Sequence, residues 1–301
     1  MDDLRNGILK LKKEKKALIL AHNYQLPEVQ DIADFVGDSL GLSMMASRTE
    51  AEVIVFCGVF FMAETAKILS PRKVVLIPEK EAGCPMADMI TAPQLKDLKN
   101  LHPQATVLCY VNTPAAVKAE CDYCCTSANA AKVVQEGLKD VSEIIFVPDQ
   151  HLAGYVSSQT GREFITWPGY CPVHADIRKE EILVLKKYHP RAEVLVHPEC
   201  RDEVIALADR VLSTEGMCRY VKDSPSLEFI IGTEIGILYR LRKENPAKSF
   251  YPVGGAVCVN MKKINLEKVL WSLESMEYQV ELPDSIMEKA RRSIERMLRF
   301  V

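Results

Sequence analysis

The sequence predicts an α/β fold of three pseudo-symmetric, three-layer αβα domains, each with a parallel sheet, arranged around one central site. Short apolar runs alternate with helical patterns of about ten residues, the order that βαβ units in a parallel sheet require. That order is written three times along the chain. Landmarks of three kinds also keep one register. Cys84, Cys171 and Cys258 are 87 and 87 residues apart, and the strand ends His22, Tyr110 and His197 are 88 and 87 apart. Ser39, Ser127 and Thr214, read as hydroxyl caps of helices, are again 88 and 87 apart. A period far above about 50 residues lies outside the solenoid range, so the repeat is read as duplicated domains. The expected divisions are residues 1–88 with 262–301, then 89–175, then 176–261.

In the first copy, an amphipathic helix over Leu4 to Lys16 precedes a buried strand at Ala17 to His22. Pro27 and Glu28 open a helix expected to run through Val36, since proline suits a first helical turn. Apolar runs at Val53 to Cys57 and Val74 to Ile77 flank a helical pattern at Phe61 to Leu69, and the second run leads to Cys84. The second copy has strands at Thr106 to Val111, Ile144 to Val147 and Glu163 to Thr166, with helices at Ala128 to Leu138 and Leu152 to Ser158. Its last strand leads to Cys171, set between Pro168 and Pro172 on a stiff turn. The third copy has strands at Glu193 to Val196, Phe229 to Ile231 and Ser249 to Pro252, with helices at Asp202 to Leu212 and Ile235 to Lys243, and ends at Cys258. The remaining residues read as helices with Trp271, Leu273 and Met297 on apolar faces, docking back onto the first copy.

The chain has 301 residues, 48% of them hydrophobic, and a formal net charge of −3. That balance argues against nucleic acid as a partner, which needs a basic face. The basic cluster Lys10 to Lys16 is read as the solvated face of the first helix. No apolar run approaches the roughly 20 residues of a membrane span, and no export signal follows Met1. Ten cysteines without such a signal fit a reducing cytoplasm, where clustered thiols mean metal or catalysis more often than disulfides.

Ligands of open α/β sheets lie outside the carboxyl ends of the strands. All the landmarks above fall at such ends or at helix starts, whose N–H groups favour anions. Three domains meeting at their strand ends would therefore bring cysteines, histidines, tyrosines and hydroxyls to one cavity for a small anionic molecule. Three converging cysteines suit zinc or an iron–sulfur cluster. A cluster with only three protein thiolates would leave one iron open as a Lewis acid.

One ordered set of motifs covers almost the whole chain. It comprises His22-Asn23-Tyr24, Cys84-Pro85-Met86-Ala87, Tyr110-Val111-Asn112, Gly169-Tyr170-Cys171-Pro172, His197-Pro198-Glu199, Ser213-Thr214-Glu215-Gly216-Met217 and the Cys258 loop. In these motifs the chain resembles the quinolinate synthase family. The resemblance implies a transferase of NAD biosynthesis that condenses iminoaspartate with dihydroxyacetone phosphate to give quinolinate, phosphate and water. It implies one [4Fe–4S] cluster held by Cys84, Cys171 and Cys258, and transient contact with the enzyme that makes iminoaspartate. It implies a substrate site formed by His22, Ser39, Tyr110, Val111, Asn112, Ser127, His197, Pro198, Glu199 and Thr214. Glu199, Tyr24, Tyr110 and His197 are the candidates for moving protons. The rivals are a zinc hydrolase of a phosphorylated metabolite on the same cysteines, and a non-catalytic iron–sulfur sensor.

Other residues receive plainer readings. Cys57 and Cys109 lie in apolar strands as small core residues. Cys121 and Cys124 have a redox spacing but no second pair, and read as a loop with incidental thiols beside a redox alternative. His102, His151, His174 and His189 have no counterpart in the register and read as structural. Gly254-Gly255 is no dinucleotide fingerprint, so no bound NAD is expected.

Overall fold

The structure is a computed structural model and describes residues 2–301. Among the described residues, twelve strands form three sheets of four, and every pairing within them is parallel. The first sheet contains β1 (Ala17–His22), β2 (Phe35–Gly37), β3 (Val53–Cys57) and β4 (Val74–Leu76). The second contains β5 (Thr106–Tyr110), β6 (Tyr123–Cys125), β7 (Ile144–Val147) and β8 (Ile165–Thr166). The third contains β9 (Glu193–Val196), β10 (Arg210–Val211), β11 (Glu228–Gly232) and β12 (Ser249–Pro252). The spatial orders are β2-β1-β3-β4, β6-β5-β7-β8 and β10-β9-β11-β12, so each copy places its second strand at one edge and its fourth at the other.

The central strands are apolar on both faces because helices cover both sides, as parallel sheets require. β3 is buried along its whole length, and Ile19, Leu20, Ile54 and Val55 are fully enclosed. Cys57 and Cys109 are likewise fully buried within this core. One face of the third sheet, with Val194, Val196 and Ile230, forms a smaller core with Ile182 of the helix Lys179–Tyr188.

Each copy has one more strand than its sequence pattern suggests. The helix expected from Pro27 to Val36 stops at Ile32, and Phe35–Gly37 pairs with β1 instead. The expected helix Asp202 to Leu212 stops at Ile205, and Arg210–Val211 pairs with β9. Tyr123–Cys125, expected as a loop, pairs with β5. Strands this short carry too few residues for a period-2 pattern to emerge. One device pins all three. Asp34, Asp122 and Asp209 each precede an edge strand and accept from the backbone N–H of Ile19, Val107 and Val194 at 2.8, 2.9 and 2.8 Å. Each aspartate also donates its own N–H to the carbonyl of that same residue.

Between β6 and β7 the expected helix is shorter and irregular, an α-turn at Ala130–Lys132 running into a π-helical turn at Val133–Gly137. A Cβ at Gly137 would stand 2.7 Å from the tip of the Phe300 ring, so a larger residue there would have to push that ring aside. The last two helices do not both dock on the first copy alone: Leu266–Ser275 packs on the helix Asp2–Glu14 and on β3. Asp284–Met297 lies against β6 and the helices Ala115–Lys118 and Phe60–Leu69. Leu273 and Met297 are buried, whereas Trp271 stays 37% exposed and leans on Tyr278 with ring centroids 4.9 Å apart. No helix among the described residues is long and apolar enough to cross a membrane.

Candidate active site

The carboxyl ends of all three sheets supply side chains to one cavity. From the ends of β1, β5 and β9 and the residues just after them come His22 and Tyr24, Tyr110 and Asn112, and His197 and Glu199. From the loops after β4, β8 and β12 come Cys84, Cys171 and Cys258. Ser39, Ser127 and Thr214 also line the cavity.

These three hydroxyls are not the helix caps they resemble. Asp38 caps the helix Ser39–Arg48 by accepting from Gly41 N–H at 2.9 Å, and Ser213 caps Thr214–Asp223 by accepting from Gly216 N–H at 3.2 Å. In the second copy Thr126 accepts from Ala128 N–H at 3.3 Å. The preceding residue thus takes the backbone work in each copy and leaves the next hydroxyl to face the cavity.

The two strand-end histidines share one arrangement. Tyr24 N–H donates to His22 Nδ1 at 3.2 Å, and Glu199 N–H donates to His197 Nδ1 at 3.4 Å. With Nδ1 accepting, the neutral ring carries its proton on Nε2. His197 Nε2 then donates to Ser127 Oγ at 3.2 Å. Burial holds both imidazoles neutral, with pKa values lowered to about 3, and His197 further opposes a charge on His22. The cavity therefore presents N–H donors whose polarity does not change over the neutral range.

Glu199 is the hub of the polar network. Tyr110 O–H donates to its Oε1 at 2.5 Å, and Asn112 Nδ2 lies 3.5 Å from the same oxygen. His174 Nδ1 approaches Oε2 at 2.7 Å. Burial alone would raise the Glu199 carboxyl, but the facing His174 and His197 rings and the Tyr110 hydroxyl hold it well below the usual range. A carboxylate can only accept, so His174 carries a proton on Nδ1, and in the neutral ring its Nε2 accepts. Thr233 Oγ1, 2.8 Å away, is then the donor to Nε2, and Tyr24 O–H donates to Thr233 Oγ1 at 2.6 Å. The result is a directed chain from Tyr24 through Thr233 and His174 to Glu199. The Tyr24 and Tyr110 hydroxyls are both raised well above their ordinary value by burial and by Glu199, so both stay protonated as donors.

Two features suit the cavity to a bound ligand. Asn112 Oδ1 is buried without a hydrogen-bond partner and would accept from a donor in the cavity. Each of the three loop cysteines also has a backbone N–H from the residue three positions on directed at its sulfur, from Ala87, His174 and Met261. Glu234 braces the third loop, accepting from Cys258 N–H at 3.1 Å and pairing with Lys262 at 3.0 Å. Burial raises all three thiols, Cys84 to about 12, so each would give up its proton only to a metal.

A single ion has another candidate seat. Ligand atoms of Cys171, His174 and Glu199 lie within 4.8 Å of one another. The hydrogen bond from His174 to Glu199 already uses those atoms on one another, so this trio is satisfied without an ion. It is the only such trio among the described residues, so at least one pair of the loop sulfurs stands more than 4.8 Å apart. Thiolates on one tetrahedral zinc would be roughly 3.8 Å apart, from Zn–S bonds of about 2.3 Å. The loop cysteines suit a polynuclear group better than a lone zinc.

The family model described as "Quinolinate synthetase A protein" matches residues 6–299. The chain belongs to the quinolinate synthetase A family. Its relatives include the "Quinolinate synthase" of Dehalococcoides mccartyi (strain CBDB1), 59% identical over 99% of this chain and 98% of that one. The "Quinolinate synthase 1" of Methanosarcina acetivorans is 53% identical over 98% of this chain and 97% of its own length. That of Thermodesulfovibrio yellowstonii is 53% identical over 98% and 97%.

Within this quinolinate synthetase A chain, the structure gathers His22, Tyr24, Ser39, Tyr110, Asn112, Ser127, His197, Glu199, Thr214 and the three cysteines around one cavity. Val111 and Pro198 lie outside its lining, and Val111 N–H is spent on the Cys125 carbonyl at 2.8 Å. His174, expected to be structural, lines the cavity and bonds the hub. It has no equivalent in the other copies, where Ala87 and Met261 occupy its place, so the register hid it. Thr233 and Glu234 escaped for a related reason, because their role depends on which strand end they face. Cys121 and Cys124 lie away from the cavity, Cys121 Sγ donating to the Val117 carbonyl at 3.0 Å and Cys124 Sγ to Ser293 Oγ at 3.4 Å.

Proposed function

We propose that this enzyme condenses iminoaspartate with dihydroxyacetone phosphate, releasing quinolinate, phosphate and water, in NAD biosynthesis. The observation that carries the reading is the convergence of three equivalent cysteine loops and the Glu199 network on one donor-lined cavity, in a chain of this family. Cys84, Cys171 and Cys258 would hold a [4Fe–4S] cluster, and the N–H groups aimed at their sulfurs suit thiolates carrying cluster charge. When bound, such a cluster supplies one iron open for Lewis-acid chemistry on a substrate oxygen.

The chain's own residues then bind and move protons. His22 presents a fixed N–H donor, Ser127, which accepts from His197, keeps its own hydroxyl hydrogen to donate, and Ser39 and Thr214 present hydroxyls at helix starts, a set matched to the two carboxylates of iminoaspartate. Asn112 Oδ1 would accept from a substrate N–H or O–H and so orient it. Glu199 takes a proton from the substrate as general base, and the His174–Thr233–Tyr24 chain carries protons between it and the cavity. The enclosing apolar wall of Val59, Phe61, Met62 and Met86 keeps water from competing. The same reading divides the chain at residues 88, 175 and 261, places the enzyme in the cytoplasm, and allows a transient contact with the producer of iminoaspartate.

The test is an anaerobic assay for quinolinate with both substrates on reconstituted protein, alongside iron and sulfide analysis. The expected result is about four irons and four sulfides per chain and quinolinate formed from both substrates. Protein with its cluster intact but no quinolinate would sink the reading.

A further inference from the structure

Thr214 does not face the cavity alone. Asn23, fully buried after β1, donates Nδ2–H to Thr214 Oγ1 at 2.9 Å, bridging the first and third sheets. On its other side, Arg240 Nη1 donates to Asn23 Oδ1 at 3.0 Å. Arg240 is itself held on several sides. Its Nη1 and Nη2 reach the two carboxylate oxygens of Glu215 at 2.6 and 3.2 Å, and its Nε donates to Glu244 at 2.7 Å. Nη1 also lies 3.3 Å from the Val36 carbonyl.

These contacts fix a polarity. A guanidinium only donates, so Asn23 must turn its oxygen to Arg240 and its NH₂ to Thr214. Thr214 Oγ1 is thereby made an acceptor towards the protein. Its hydroxyl hydrogen makes no bond to any described residue and is left for the cavity that Thr214 lines. We propose that Arg240 and Asn23 are positioning residues that commit the Thr214 hydroxyl to donate to an oxyanion of the bound substrate. This rests on the reading of the cavity as an anion site. Neither residue touches the cavity itself, so both act only through Thr214.

The isosteric change Asn23→Asp tests the polarity without removing volume. The new carboxylate still accepts from Arg240, so the clamp holds. It must also accept from Thr214, which turns the hydroxyl hydrogen away from the cavity. Binding of succinate and, in a separate arm, inorganic phosphate would be titrated calorimetrically into anaerobically prepared holoprotein. We expect Asn23→Asp and Thr214→Val each to weaken one of these anions by roughly tenfold or more, the scale of a lost hydrogen bond to a charged group. Which arm responds tells whether Thr214 serves a carboxylate or the phosphoryl end. Adding Asn23→Asp to Thr214→Val should weaken binding no further, with urea midpoints of all variants close to wild type. Thr214→Ser should restore affinity. If Asn23→Asp weakens binding just as much in the Thr214→Val background, the added charge is responsible and the inference falls while the anion site stands. Wild-type protein that takes up neither anion would overturn the anion site itself, and this inference with it.

Discussion

Glu199 accepts from Tyr110 on one oxygen and from His174 on the other, so its two oxygens do different work. Glu199→Gln separates them. The amide oxygen can keep the Tyr110 bond, while the amide NH₂ meets the His174 N–H donor to donor and breaks the proton chain. The expected outcome is unchanged iron and sulfide content with turnover lower by about 10²–10⁴-fold, the range of a lost general base. Steady-state kinetics beside metal analysis measures both, and turnover within threefold of wild type would remove Glu199 from the base role. One link further out, Thr233→Val keeps the volume but deletes both the acceptor for Tyr24 and the donor for His174 Nε2. Its kcat should fall roughly tenfold or more, as for one lost hydrogen bond of about 1.4 kcal/mol, and Thr233→Ser should recover most of it. A valine variant as fast as wild type would mean that protons do not travel by way of Thr233.

At the scale of the element, the legible features are those that repeat and those that are long. β1, β3 and β9 coincide with apolar runs visible in the sequence, and the 87-residue register is enough by itself to locate the cysteine loops. β2, β6 and β10 are hidden by their length and by hydrophobic neighbours that imitate a helix, as in Val29, Ile32 and Val36. A sign of them is nevertheless present, since Asp34, Asp122 and Asp209 are themselves 88 and 87 residues apart. His174 is hidden for the opposite reason, because a register finds only what is shared by the copies. The aspartates make a stability prediction that belongs to the strand pair. Asp122→Ala leaves Val107 N–H without its acceptor at the start of β5, and should cost about 1–2 kcal/mol in urea unfolding. Asp122→Asn, which keeps an acceptor oxygen, should cost less than half as much. Equal losses in the two variants would show that charge matters there and the bridge does not.

The whole molecule decides the state of the two strand-end histidines, because only the meeting of three sheets encloses them. His22 and His197 are held neutral down to about pH 3 by burial, against an ordinary value of 6.5. Between those values the unfolded chain binds protons that the folded one refuses. Their contribution to stability is therefore complete above about pH 6.5 and is lost as the pH falls toward 3. Other buried groups act in the same window. Asp149, pushed well above the carboxylate range by burial and then by the Glu199 charge, favours the folded state at low pH and opposes the histidines. A single pH–stability curve would mix these effects, so the clean quantity is a difference between two proteins. His22→Asn keeps an acceptor for Tyr24 N–H and removes one titrating ring. In metal-free protein, the stability of wild type relative to His22→Asn should fall by about 1.4 kcal/mol for each pH unit from 6 to 4, one proton's worth. Urea unfolding at half-unit steps measures that slope. Parallel curves would mean that His22 takes up its proton in the folded protein as readily as in the unfolded chain, and that the three sheets do not close over the cavity as tightly as its lining implies.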